Sequence, residues 1–247
     1  MCPKPLVSKV NIVTCLSWCL AHQNWSVRRF RRVLWSDEST VSLFQQGSCC
    51  RVWREPNEEW SVSCVTSMVK YSSKRMYWGT FSWCDVSLLV PLQSSVTAAS
   101  YTETLQRHLL PALEGFPGIS DRGRPLFQQD NARPHTAKLT KGFLAENHVR
   151  VVDWPAQSPD LNPIENVWQE LKRMVQRNSN KLTNLMELDN QVLQAWRNVP
   201  PEFCRRLVDS MPHRIAACIA AAGGPTKYWY FNDINCNRWL IRISKKK

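Results

Sequence analysis

The sequence lacks the patterns that mark several large classes of protein. It has no CxxC pair among its ten cysteines, which stand at positions 2, 15, 19, 49, 50, 64, 84, 204, 218 and 236. Scattered cysteines without metal-ligand spacing argue against a zinc site and favour reduced intracellular thiols. No apolar run reaches the roughly 18 residues of a transmembrane helix, so we expect no membrane partner. No internal repeat or low-complexity tract appears either.

Acidic residues are also scarce. The chain has 20 of them against 32 lysines and arginines, which gives a net charge of +12 and a pI near 9.4. This balance favours a polyanionic partner such as DNA or RNA. The cluster Arg28–Arg32 (RRFRR) is either a nucleic-acid contact or a solvated face. A length of 247 residues with 43% hydrophobic residues allows one large globular domain with appendages, or two small domains.

The most informative stretch runs from residue 126 to residue 176. Residues 126–129 predict a short strand that delivers Asp130 at its C-terminal end, residues 136–147 a helix, and residues 149–154 a second strand. Two strands joined by such a helix should be parallel, and sheets of that kind bind ligands outside the carboxyl ends of their strands. Asp130 is expected at that edge, although the residues alone favour an Asx-turn residue that opens the following loop.

A further helix is predicted after the loop 155–162. Asn162 is its expected N-cap and Pro163 its first residue, so Glu165 lies in the first turn and can face the same sheet edge as Asp130. Alternatively, Glu165 is the acidic member of a capping box with Asn162. The predicted apolar stripe of this helix is Ile164, Val167, Trp168, Leu171, Met174 and Val175.

A third acidic residue of interest lies near the start of the chain. Residues 33–44 predict a strand in which Val33, Trp35 and Asp37 share one face and Glu38 points to the other. An aspartate in mid-strand beside bulky apolar residues is disfavoured. It needs a partner, and a metal ion would serve.

The remaining elements give an α/β chain with a mixed sheet. Residues 51–53, 62–69, 74–83 and 87–91 predict strands that form an antiparallel meander with the strand of Asp37. Residues 100–114 predict a helix with Ser100 and Glu103 as a capping box, and residues 10–21 an amphipathic helix with Val13, Leu16 and Leu20 on one face. Helices are also predicted at 182–198 and 201–222, the second interrupted near Pro212. In the first of these two, the side chains expected to pack on the sheet are Leu185, Leu188, Val192 and Trp196.

Four phrases together resemble a known family. They are VLWSDES (33–39), FQQDNARPHTA (127–137), WPAQSPDLNPIENVWQELK (154–172) and GGPTKY (223–228). With 34 residues between Asp130 and Glu165, the chain resembles the DDE transposases of the mariner superfamily, in the Tc-type branch. The resemblance extends from about Lys4 to Tyr228.

The resemblance implies a ribonuclease H-like catalytic core that cuts DNA at transposon ends and joins them to a target. Asp37, Asp130 and Glu165 match the family's metal-binding, catalytic carboxylates, with two Mg²⁺ or Mn²⁺ ions roughly 3.5 to 4 Å apart as cofactors. The implied partners are transposon-end and target DNA and a second copy of the chain, and the implied location is the nucleus. Candidate DNA contacts are Arg133, His135, Lys172 and Arg173, with local or solvated roles as the alternatives.

The resemblance also defines the expected domains. Residues 1–30 match only the connection to the helix-turn-helix modules that full-length members carry, 31–178 match the catalytic core, 179–224 are C-terminal helices, and 225–247 are a tail that is a candidate for disorder. Two other functions remain open at this point. One is a catalytically silent, transposon-derived remnant that binds nucleic acid, and the other is a ribonuclease H-like nuclease of different specificity.

Overall fold

A five-stranded mixed sheet forms the centre of the computed structural model, which describes residues 8–43, 73–93, 95–116, 124–177 and 182–228. The strands are β1 (Val33–Ser42), β2 (Lys74–Phe81), β3 (Val86–Leu92), β4 (Leu126–Gln128) and β5 (Arg150–Val151). Their order is β3-β2-β1-β4-β5. The first three form an antiparallel meander, whereas β1, β4 and β5 run parallel. This arrangement confirms the predicted mixed sheet. The strands predicted at 51–53 and 62–69 lie outside the described residues.

Helices cover both faces of the sheet, close to where the sequence predicts them. They are α1 (Lys9–His22), α2 (Val27–Phe30), α3 (Ala98–Thr104), a π-helical turn (Leu105–Leu109), α4 (Leu110–Glu114), α5 (Arg133–Thr136), α6 (Lys138–Glu146), α7 (Ile164–Arg177), α8 (Leu185–Arg197), α9 (Pro201–Asp209) and α10 (Met211–Ala220). The helix predicted at 136–147 is split because Ala137 has an extended backbone, with ψ of 148°. Within the described parts of the chain, no helix combines the length and apolar character needed to cross a bilayer.

Alternation along β1 divides the core into two clusters. Leu34 packs with Trp78 and Phe127 on the face covered by α3, the π-helical turn and α6. Val33 and Trp35 point to the other face, which is covered by α1 and α7 to α10. The period of two predicted for β1 is therefore present, and it sends Asp37 and Glu38 toward opposite faces.

The capping box predicted for Ser100 and Glu103 is wrong. The N-cap of α3 is Thr97, whose hydroxyl accepts a hydrogen bond from the Ser100 amide, and the Ser100 hydroxyl accepts one from the Thr97 amide. Two hydroxyl groups three residues apart satisfy both amides, so the helix begins earlier than predicted. Glu103 instead forms an ion pair with Arg107 one turn later.

The buried face of α1 also differs from the prediction. The helix is present, but Val13 and Leu20 are exposed and the buried side chains are Cys15, Trp18 and Cys19. Trp18 packs edge-on against Trp154 with ring centroids 4.9 Å apart. A tryptophan buries more apolar area than a valine or leucine, so its contact sets the rotation of the helix.

The C-terminal helices pack as predicted. Leu188, Val192 and Trp196 are buried, and Leu185 lies at the edge of the same cluster. The hydroxyl of Tyr77 on β2 donates a 2.5 Å hydrogen bond to Asp189 on α8, which fixes this helix to the sheet. The break between α9 and α10 falls at Ser210, two residues before Pro212.

Candidate active site

Asp37 occupies the middle of β1 on the face that packs against α7. Its cross-strand partner is Gly79, and the Trp168 ring of α7 occupies the space that a side chain at Gly79 would need. Burial raises the pKa of Asp37 well above its usual range, and the negative charges of Glu165, Glu38 and Asp130 raise it further. Four carboxyl groups therefore meet within electrostatic range around this one position.

Asp130 follows β4 by two residues, at the predicted C-terminal edge of the sheet. Its Oδ1 accepts a hydrogen bond from the Ala132 amide at 2.9 Å and lies 2.5 Å from Nδ1 of His135. The Ala132 bond is the Asx-turn contact considered from the sequence. Burial alone would raise the pKa of Asp130, but the bonds from His135 and Ala132 outweigh it and lower the pKa. Asp130 is thus held in its ionised form in a fixed orientation.

His135 links two acidic residues beneath the surface. It is only 3% exposed, its Nε2 lies 3.3 Å from Oε1 of Glu38, and its ring stacks on Tyr101 with centroids 4.0 Å apart. Burial lowers its pKa, but Asp130 and Glu38 overcome this effect and raise the pKa to about 10. Of the two roles considered from the sequence, the structure favours local hydrogen bonding over contact with a phosphate.

Glu165 reaches the same region from the first turn of α7. The Asn162 side chain accepts a 3.3 Å hydrogen bond from the Ile164 amide, which supports the predicted N-cap. The charge of Glu165 raises the pKa of Asp37, so the two carboxyl groups are close. Lys172 lies about two turns after Glu165 along α7, on the same side of the helix. Burial lowers its pKa, while the charges of Glu165 and Asp37 oppose that shift.

Gly79 determines how closely α7 approaches β1. A Cβ atom built on Gly79 would lie 2.5 Å from Cη2 and 2.9 Å from Cζ2 of Trp168, and 3.1 Å from Trp196. Real Cβ contacts are longer, so only glycine allows Trp168 to rest on the strand at this point. Because Trp168 is one turn from Glu165 and Gly79 is paired with Asp37, this contact sets the spacing of the two acids.

The other predicted contacts fall into different environments. Arg133 is exposed three residues beyond Asp130. Lys172 is only 8% exposed, which does not suit a contact with the DNA backbone, and Arg173 forms an ion pair with Glu170. The two asparagines beside the acids hold the local backbone and side chains: Asn131 donates to the Trp154 carbonyl at 2.6 Å, and Asn166 accepts from Arg214 at 2.6 Å.

Sequence reasoning missed the roles of Glu38, Tyr101 and Gly79. Alternation along β1 does place Glu38 on the face opposite Asp37, which was the available signal. Oxygen and nitrogen atoms of Glu38, Asp130 and His135 all lie within 4.8 Å of one another, a spacing that resembles a metal site. Asp130 and Glu38 raise the pKa of His135 to about 10, which favours the protonated imidazole and an ion-paired cluster.

The strand order, the parallel and antiparallel pairing, and the carboxyl groups at the centre of the sheet together define a ribonuclease H-like fold. A family model described as DDE superfamily endonuclease matches residues 85–189. The Tc1 transposase of Caenorhabditis elegans is 34% identical over 227 residues, which cover 91% of this chain and 81% of the relative. The chain therefore belongs to the family of Tc1-type DDE transposases.

Solved structures support the fold assignment. The Mos1 transposase in a paired-end complex with a left transposon end is similar with a TM-score of 0.75 at 17% identity, covering 90% of this chain. This chain spans 65% of the Mos1 chain in that complex. A Mos1 catalytic domain solved with raltegravir and Mg has a TM-score of 0.68 at 18% identity, and the match covers 100% of that domain.

Proposed function

We propose that this chain is the catalytic part of a cut-and-paste transposase, which cleaves DNA at transposon ends and joins the cleaved strand to target DNA. The observation that carries the proposal is the convergence of Asp37, Asp130 and Glu165 from β1, the end of β4 and the first turn of α7. The similarity to the Tc1 transposase supports the same function.

The donor set suits divalent cations. Asp37 is buried among like charges, and burial together with those charges raises its pKa. A divalent cation would reverse that balance, and carboxylate oxygens are the ligands that Mg²⁺ and Mn²⁺ prefer. We infer that Asp37, Asp130 and Glu165 hold two such ions. When bound, they supply activation of the attacking oxygen and stabilisation of the leaving one.

The protein itself contributes orientation. The Ala132 amide and His135 both form hydrogen bonds to Oδ1 of Asp130. Among the described residues, none forms a hydrogen bond to Oδ2. The carboxylate can therefore present Oδ2 to a ligand without rotating. Glu38 and Tyr101 in turn fix the His135 ring. Such support for a ligating side chain is typical of metal sites and keeps the ligand in place between turnovers.

The reaction needs no covalent intermediate on the protein. In cleavage, a water oxygen bonds to phosphorus as the bond to the 3′-oxygen breaks, which leaves a 5′-phosphate and a 3′-hydroxyl. In joining, that 3′-hydroxyl attacks a phosphodiester of the target and displaces its 3′-oxygen. The exposed Arg133, three residues beyond Asp130, is in a suitable place to contact a DNA phosphate.

The proposed partners are transposon-end DNA, target DNA and a second copy of the chain, and the proposed location is the nucleus. Support for the first and third comes from the Mos1 structure, which is a paired-end complex with a transposon end. DNA of both kinds offers the same phosphate backbone, which suits a chain of net charge +12.

Nicking of supercoiled plasmid tests the proposal. We expect the purified chain to nick plasmid with Mg²⁺ or Mn²⁺ and to be inactive in EDTA, and we expect Asp130→Asn to abolish nicking. The matched control is Asp153→Asn, which removes an exposed carboxylate near the same sheet edge. Folded wild-type chain that does not nick with either metal, or an Asp130→Asn variant as active as the wild type, would overturn the proposal. Transfer of a labelled 3′-end into target plasmid then separates a transposase from a simple nuclease.

A further inference from the structure

A second charged surface lies away from the carboxyl groups. It is an open depression of about 530 Å³ lined by Ser26, Arg28, Arg29, Arg32, Leu126 and Arg150. We name it the basic depression. Its lining contains four arginines and no acidic side chain among the described residues. Such an excess of one charge in a concave surface favours an anionic ligand.

The basic depression and the carboxyl groups lie at opposite ends of the same strands. Arg32 immediately precedes β1, Leu126 begins β4, and Arg150 begins β5. These three strands run parallel, so their N-terminal ends share one edge of the sheet. Asp130 follows the other end of β4. A DNA segment held at the carboxyl groups therefore leaves the basic depression open to a separate segment.

Contacts within the protein hold some of these arginines in place. The guanidinium carbon of Arg29 lies 3.9 Å from the centroid of the Trp25 ring, and Arg32 donates a 3.1 Å hydrogen bond to the Arg124 carbonyl. Arg31, in the middle of the same cluster, turns instead to Asp209 and forms two hydrogen bonds with its carboxylate. None of the four lining arginines pairs with an acidic residue in the described ranges. Their positive charges can therefore interact with an anionic ligand. The contacts that hold Arg29 and Arg32 in place lower the entropic cost of binding it.

The arrangement matches a repeating anion better than a single one. β1, β4 and β5 are successive neighbours, so Arg32 before β1 and Arg150 at the start of β5 lie two strand spacings apart, about 10 Å at roughly 4.8 Å per strand. That distance is the axial rise of about three base pairs at 3.4 Å each. Arginine forks bind phosphate oxygens in two-point contacts, which position a duplex without reading its sequence.

We propose that the basic depression binds the sugar-phosphate backbone of a second segment of duplex DNA, independently of sequence. The inference rests on the proposed function for the presence of DNA, but not on the carboxyl groups or their metal ions. It gives the catalytic part of the transposase two DNA-binding surfaces, one at each end of its parallel strands.

The test is the salt dependence of binding to a labelled duplex, measured by fluorescence anisotropy in EDTA. Without metal, the carboxyl groups repel DNA, so the remaining affinity reports other surfaces. We expect Arg28→Gln/Arg150→Gln to weaken binding and to reduce the slope of log K against log salt by about 2, since each lost phosphate contact contributes about 0.9. The control Arg107→Gln/Arg205→Gln removes the same charge from arginines that face Glu103 and Glu202, and should keep the slope.

Two further measurements keep the result interpretable. Arg28→Lys/Arg150→Lys retains the charge and should retain most of the slope, which would show that the slope depends on the charge at these two positions, and equal melting temperatures of the two variants would show that both are folded. If Arg28→Gln/Arg150→Gln binds duplex with the same affinity and salt slope as Arg107→Gln/Arg205→Gln, the inference is overturned. It is also overturned if polyglutamate, added at equal charge, displaces the labelled duplex as well as unlabelled duplex does. If the wild type nicks plasmid but the slope is unchanged, only this inference fails; if it does not nick but the slope falls, only the proposed function fails.

Discussion

Replacing Gly79 by alanine should separate the placement of the active site from the stability of the fold. The added Cβ would lie 2.5 Å from Cη2 of Trp168, whereas carbon atoms in contact are usually about 3.5 to 4.0 Å apart. The indole must therefore move by roughly 1 Å. Because Trp168 and Glu165 are one turn apart on α7, a movement of this helix carries Glu165 away from Asp37.

The expected loss of stability is small. Overpacking of this kind costs about 1–3 kcal/mol, and replacing glycine in a strand returns about 0.5–1 kcal/mol. A net loss of about 0–2.5 kcal/mol lowers the melting temperature by no more than roughly 10 °C, at about 2–4 °C per kcal/mol for a domain of this size. Nearly all of the protein remains folded after such a loss.

The expected loss of activity is much larger. Displacement of a catalytic group by about 1 Å can reduce a rate on the order of 100-fold. The assay is metal-dependent nicking of supercoiled plasmid beside thermal unfolding of the same preparations. If Gly79→Ala nicks within about twofold of the wild type, the packing of Trp168 does not determine the position of Glu165, and the reasoning is wrong.

Two variants complete the experiment. Gly142→Ala is the matched control, because a Cβ at this helical glycine meets nothing within 4 Å. It should leave nicking unchanged and stabilise α6 by up to about 1 kcal/mol. Gly79→Ala/Trp168→Phe removes the ring atoms that clash, so it should recover activity relative to Gly79→Ala alone. The recovery would show that the two positions are coupled.

Two other predictions concern contacts that fix helices to the core. Tyr77→Phe removes the hydroxyl that donates to Asp189 at 2.5 Å, and should cost about 1–3 kcal/mol in chemical unfolding without a change in nicking per folded molecule; a stability equal to the wild type would contradict this. Gly223→Ala places a Cβ 2.1 Å from the Ile12 carbonyl oxygen at a residue with φ of +81°, and should lower stability by at least about 2 kcal/mol, unlike Gly142→Ala. Soluble Gly223→Ala protein with an unchanged melting temperature would show that α1 can move away at no cost.

The parts of the site that follow from regular local structure could be predicted from the sequence. Alternation in β1 places Asp37 on the face of Trp35, and a polar loop after a short apolar strand places Asp130 at the sheet edge. The Asn162–Pro163 pair marks the start of α7 and therefore places Glu165 in the first turn of the helix. Each depends only on residues within one element, where backbone geometry fixes the direction of the side chain.

The parts that depend on contacts between elements could not be predicted. His135 follows Asp130 closely in the sequence, yet its role depends on Glu38 and Tyr101, which come from β1 and α3. The rotation of α1 depends on where Trp154 lies. Neither the hydrophobic period nor the composition of a segment shows which residues of another element it will contact, because those contacts are set by how whole elements pack.

The central place of β1 has a consequence for the history of a gene of this kind. The strand with Asp37 is made first and lies between β2, which follows it in the sequence, and β4, which is made much later; the helix with Glu165 comes later still. The three acids are all present only once synthesis has reached α7 (Ile164–Arg177). Under the proposed function, a gene with a stop codon before residue 165 therefore encodes a product that lacks Glu165 and cannot complete the three acids.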